Sequence, residues 1–102
     1  MSIMIIETQN LTTSSLTGVL STPLFETNQV RTLFLNLVSG QNVPPCQMSA
    51  PVLYYVVEGQ GSLHVESEQA ELRTGSLAVV PAGTTRSISA ATPMRVLAVQ
   101  LL

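Results

Sequence analysis

The stretch Gly75-Ser76-Leu77-Ala78-Val79-Val80-Pro81-Ala82-Gly83-Thr84-Thr85-Arg86 decides the fold. Gly75 is free to take a positive φ, so it permits a tight turn after a preceding strand. Ser76 to Val80 is an aliphatic, partly β-branched run of strand length. Pro81-Ala82-Gly83 breaks that run, because proline cannot donate to a ladder and glycine completes a turn. Arg86-Ser87-Ile88-Ser89-Ala90 then resumes strand alternation. Such a unit needs strands to pair with, and the candidates lie upstream, between Gly40 and Gly61.

Upstream, Gln29 to Val38 places Arg31, Leu33, Leu35 and Leu37 on one face and Thr32, Phe34, Asn36 and Val38 on the other. A strand apolar on both faces is covered on both sides. Ser39-Gly40-Gln41-Asn42 is a turn, and Val43-Pro44-Pro45 is stiff and extended. Cys46 to Val57 reads as one extended segment, strongest at Tyr54-Tyr55-Val56-Val57. Glu58-Gly59-Gln60-Gly61 reads as a hairpin turn. Ser62 to Glu66 and Gln69 to Arg73 alternate, and Met94 to Leu102 is a last strand without charge beyond Arg95. Ile3 to Glu7 reads as a short edge strand able to pair with another subunit. Asn10 to Ser15 is turn-like, and Pro23 demotes Leu16 to Phe25 to an edge strand or extended loop. No helical period runs through the chain. Many short strands between Gly and Pro turns predict an all-β, antiparallel sandwich or barrel, with residues 1–102 as one domain and 1–29 covering the barrel or a dimer interface.

Composition narrows the function classes. The 102 residues are 45% hydrophobic but only 10% charged, against about 25% in an average protein. So neutral a surface favours a homodimer with a buried apolar patch. With no lysine and no aspartate, Schiff-base chemistry and an aspartate nucleophile are excluded. Four arginines against six glutamates give no basic surface for nucleic acid. A single cysteine forms no internal disulfide. No run approaches the roughly 18 apolar residues of a membrane span, and the start lacks a signal peptide's basic region. The expected compartment is the cytoplasm, with no membrane partner, which leaves Asn10-Leu11-Thr12 irrelevant as a glycosylation triplet.

Two glycine-bounded blocks resemble the two motifs of the cupin family. In the first, Gly40 is followed by five residues, then Cys46-Gln47-Met48, then Val52 and Gly59. In the second, Gly75 is followed by five residues, then Pro81-Ala82-Gly83, then Arg86 and Ala90. Both spacings fit the family pattern without a gap, over roughly Val30 to Leu101. The resemblance implies a small jelly-roll barrel, a double-stranded β-helix of the RmlC-like type. It also implies that the family's four metal-ligand positions, three histidines and a glutamate, fall on Cys46, Met48, Val52 and Arg86. Val52 has no donor atom, and arginine stays protonated and does not ligate. The barrel and its pocket are therefore expected, without the usual metal.

Strand parity puts Cys46, Met48, Val52, Tyr54 and Val56 on one face, and Arg86 on the face of Ile88 and Ala90. The expected ligand pocket is Cys46, Met48, Val52, Tyr54 and Arg86. Arg86 reads either as a side chain at the barrel mouth, its head in water or paired with a glutamate, or as an anion clamp. Cys46 and Met48 read as core residues or, together, as a soft-metal pair suited to copper. His64 alternates with Leu63 and Val65 and is expected to face outward. Glu66, Glu68, Glu71 and Arg73 read as a solvated hairpin. Three functions follow as expectations. One is a metal-free cupin binding a small organic anion as sensor or carrier. The others are a noncanonical isomerase, lyase or dioxygenase, and a structural module with a filled barrel.

Overall fold

The computed structural model describes residues 3–11 and 20–102. Nine strands run through them: β1 (Leu20–Glu26), β2 (Val30–Leu37), β3 (Asn42–Gln47), β4 (Val52–Glu58), β5 (Gln60–Val65), β6 (Glu68–Arg73), β7 (Leu77–Val80), β8 (Thr85–Ala90) and β9 (Met94–Leu101). They form two antiparallel sheets, a five-stranded one ordered β1-β2-β9-β4-β7 and a four-stranded one ordered β3-β8-β5-β6. The expected all-β jelly roll is the observed fold. The partners expected for the glycine–proline unit are there too: β7 pairs with β4, and β8 pairs with β3 and β5.

The inner faces of both sheets supply one core. Leu35, Leu37, Val52, Tyr54, Val56, Met94, Val96 and Ala98 come from the five-stranded sheet; Leu63, Leu72, Ile88 and Ala90 come from the other. Alternation puts them there, since β9 and β8 each bury every second residue. In β2 both faces are buried from Phe34 to Leu37, as its two apolar faces require. Pro23 sits where the β1–β2 register shifts, on an edge strand that needs no second ladder.

Two sequence expectations fail. Cys46 to Val57 is not one strand, because β3 and β4 belong to different sheets and residues 48–51 form the corner between them. Glu58 to Gly61 is not a hairpin, because β4 and β5 do not pair and Gly59, at φ 104, carries the chain across to the other sheet. Ile3 to Glu7 joins no ladder within one copy among the described residues, and a short 3-10 turn, Thr8–Asn10, follows it. The turn expected at Asn10 to Ser15 and the strand from Leu16 fall partly on residues 12–19, outside the described residues. The hairpin carrying Glu66, Glu68, Glu71 and Arg73 forms as β5–β6. No helix of the described residues is long and apolar enough to cross a membrane.

Gly61 shows how tightly the barrel closes. A side chain there would overlap the Ser89 carbonyl and the Met94 sulfur. The backbone carbonyl cannot move without breaking the β5–β8 ladder. Gly61→Ala is therefore expected to cost roughly 3 kcal/mol and to lower the melting temperature by more than about 10 °C, as read by circular dichroism.

Candidate functional site at the inter-sheet corners

Two corners meet at one end of the barrel. The first, between β3 and β4, carries Met48. The second, between β7 and β8, carries Pro81 and Gly83. The Gly83 amide donates to the Met48 carbonyl at 2.8 Å, and the Gln47 side chain donates to the Gly83 carbonyl at 2.6 Å. Gly83, at φ 77, gives the second corner the left-handed conformation that this closure needs.

Arg86 enters the interior from β8 just beyond that corner and is 1% exposed, among the largest fully buried side chains described. Its Nε donates to the Thr84 carbonyl at 2.9 Å, and its Nη2 reaches the Pro81 carbonyl at 3.4 Å. Its Nη1 reaches the Tyr54 hydroxyl at 3.4 Å, so the guanidinium bridges the two sheets. No carboxylate pairs with it; the one ion pair among the described residues joins Arg31 and Glu26 on the surface. Arg86 is thus neither at the mouth with its head in water nor paired with a glutamate. The corner's carbonyl oxygens and the Tyr54 phenol solvate it instead. Five N–H donors meet three acceptors.

Of the other pocket candidates, Val52 and Tyr54 are buried on β4, and Met48 is half-buried. Cys46 is exposed, yet it lies opposite Arg86 in the β3–β8 register, so both side chains leave the sheet on the same side. The sequence reading missed Gln100. It is buried on β9 opposite Val52, and its amide donates to the Met48 sulfur at 3.7 Å. Its parity with Met94, Val96 and Ala98 was the available signal. His64 is half-buried on the outer side, within 3.3 Å of the Ser89 hydroxyl.

Burial pushes the Tyr54 phenol above its ordinary value of 10.0; the hydrogen bond and charge of Arg86 offset part of the rise, and a negative Cys46 adds to it. As donors for a metal, Cys46, Met48, Val52 and Arg86 do not fit. Val52 offers no lone pair, and Arg86 is a fixed cation. No group of three His, Cys, Asp or Glu side chains among the described residues is placed to hold an ion.

Residues 41–100 match the family model described as cupin domain. The chain belongs to the cupin family. No curated protein matches the sequence. A cupin superfamily protein from Desulfitobacterium hafniense superposes at a TM-score of 0.83 and 20% identity, covering 90% of this chain and 84% of that one. A protein from Thermus thermophilus superposes at 0.87 and 24% identity, covering 95% of each. Salicylate 1,2-dioxygenase from Pseudoaminobacter salicylatoxidans, in adducts with gentisate, superposes at 0.78 and 19% identity, covering 87% of this chain and 26% of that one. At these identities the likeness is one of cupin fold.

Because the folded-state value of Tyr54 lies above its unfolded value, the folded state favours the neutral phenol. That contribution is complete below about pH 10 and is lost as pH climbs from the unfolded to the folded value. Alkaline absorbance titration of wild type minus Tyr54→Phe is expected to give a midpoint above 10.0. A midpoint at or below that value would show Tyr54 to be hydrated.

Proposed function

We propose that this cupin binds a small organic anion without a metal, as a sensor or carrier, and that it does so as a homodimer. One observation carries the reading: the Arg86 guanidinium is buried without a carboxylate, and two of its three contacts are long. A carboxylate or phosphate meets a fixed guanidinium with two parallel hydrogen bonds and supplies the charge that neutral carbonyls do not. Exposed Cys46, opposite Arg86 on the neighbouring strand, marks the side from which a ligand approaches. The Tyr54 hydroxyl, already against Nη1, is a second donor for the same anion. The dioxygenase described in adducts with gentisate, a small carboxylate, supports the reading only as a protein that contains a barrel of this fold.

A second reading, a filled barrel with a structural role, draws on the burial of Val52, Tyr54 and Arg86 together. A soft-metal site at Cys46 and Met48, serving redox chemistry or metal handling, is the weaker alternative, since the Met48 sulfur already accepts from Gln100. The test is thermal unfolding with acetate, succinate, salicylate and inorganic phosphate, on wild type and Arg86→Met. A ligand at 100 times its dissociation constant is expected to raise the wild-type melting temperature by roughly 10 °C. Arg86→Met keeps an unbranched side chain in the interior and removes a buried charge that has no ionic partner among the described residues; its folding is checked by circular dichroism, and it should lose the shift. Shifts that survive in Arg86→Met would remove the proposal, and no shift with any anion would favour the filled barrel. Near-stoichiometric copper in the purified protein, lost in Cys46→Ser, would favour the metal site.

A further inference from the structure

Along one side of the barrel the two sheets stay open to each other. β7 ends the five-stranded sheet, β6 ends the four-stranded one, and neither outer edge is paired among the described residues. A cleft of about 510 Å³ lies between them, within the roughly 300–1,000 Å³ of small-molecule sites. Cys46, Met48, Val52, Tyr54 and Arg86 do not line it. The cleft and the Arg86 corner adjoin at Pro81, which lines the cleft and turns its carbonyl to Nη2.

The apolar part of the lining is continuous with the core. Leu63 and Leu72 belong to the buried cluster, and Ala78 packs against it. An apolar body in the cleft would extend the core sideways. Leu77 and Val79 also line it, and they are 62% and 65% exposed. Scattered apolar side chains on a surface mean little, but two on the wall of one cleft form a patch that a guest would cover.

The charged part of the lining has one sign. Glu68 and Glu71 line the cleft, and no arginine does. The one ion pair among the described residues joins Arg31 and Glu26, so neither carboxylate has a cationic partner there. An anionic guest would meet like charge. An uncharged guest would take water from the carboxylates and give nothing in return. A guest with an apolar body and a positive head meets both parts of the lining at once.

We propose that this cleft binds a small amphiphilic amine, with its apolar body on Leu63, Leu72 and Ala78 and its ammonium group at Glu68 and Glu71. The proposal does not depend on the anion reading, because it uses none of that site's side chains.

The test is isothermal titration of the full-length chain with butylamine, pentylamine and hexylamine, and with hexanol and hexanoate as uncharged and anionic counterparts. The amines are protonated at neutral pH, as the lysine amine is. Their affinity is expected to rise roughly fourfold per methylene, and hexylamine should bind more tightly than hexanol or hexanoate. Glu68→Gln and Glu71→Gln should each weaken hexylamine about fivefold and leave hexanol unchanged. Leu77→Ser, at an exposed position, should weaken hexylamine and hexanol alike. Hydrogen exchange without ligand should find the outer-edge amides of β6 and β7 open. Four results would overturn the proposal: no saturable binding of hexylamine, hexanol binding as tightly, hexylamine indifferent to both glutamate variants, or edge amides protected without ligand because a second copy covers the cleft.

Discussion

A guanidinium inside a small barrel has to find its solvent in the protein. Arg86 carries a charge that it cannot shed, and water is excluded from it. Everything around it answers that demand. The corner before β8 turns the Pro81 and Thr84 carbonyls toward it, and β4 brings the Tyr54 hydroxyl from the opposite sheet. The cost of leaving such a group unmet exceeds that of any single apolar contact in the core. The geometry of the corner is therefore as constrained as the core beneath it.

That constraint reaches through the chain because the corners lock one another. Gly83 holds Met48 by its amide and Gln47 by its carbonyl. Among the described residues, only β1–β2 and β5–β6 are hairpins within one sheet; every other link between successive strands passes from one sheet to the other. Most turns in this molecule are thus corners, and each carries the cost of closing both sheets together. Asn36 is met only in part, since its buried Nδ2 has no hydrogen-bond partner among the described residues. Asn36, 1% exposed, accepts from Arg95, whose guanidinium lies 5.1 Å from the centre of the Phe34 ring.

These corners explain what the sequence could and could not disclose. A glycine-rich turn looks the same whether the chain folds back on its own sheet or crosses to the other, so Glu58 to Gly61 was legible as a turn and not as a corner. Alternation was legible along β8 and β9, which bury the residues their parity selects, while β2, apolar on both faces, buries both from Phe34 to Leu37. The polar member of that pattern, Gln100, was legible on the same terms. Parity selects a face and does not fix burial. Cys46 leaves its sheet on the same side as Arg86, yet it stands exposed on β3 while Tyr54 is buried on β4. The solvation of Arg86 by carbonyls was illegible for a different reason, since main-chain oxygens leave no mark in the sequence. The sequence left open whether that arginine met water, a glutamate or an anion, and the backbone was not among the readings.

The same residue bears on what this barrel can hold. Where the cupin motifs that this chain resembles imply an imidazole, it carries the permanent positive charge of Arg86, and where they imply a carboxylate it carries Val52. Two unit charges about 4 Å apart interact with roughly 4 kcal/mol at an effective dielectric of about 20. For a divalent cation the repulsion from Arg86 is about twice that, with no carboxylate there to offset it. For an anion the sign reverses, and the interaction adds to hydrogen bonds that the guanidinium already has spare donors to make. Under the proposed reading, a metal and the Arg86 charge would compete for one position, and a cation fixed to the chain favours a negative guest.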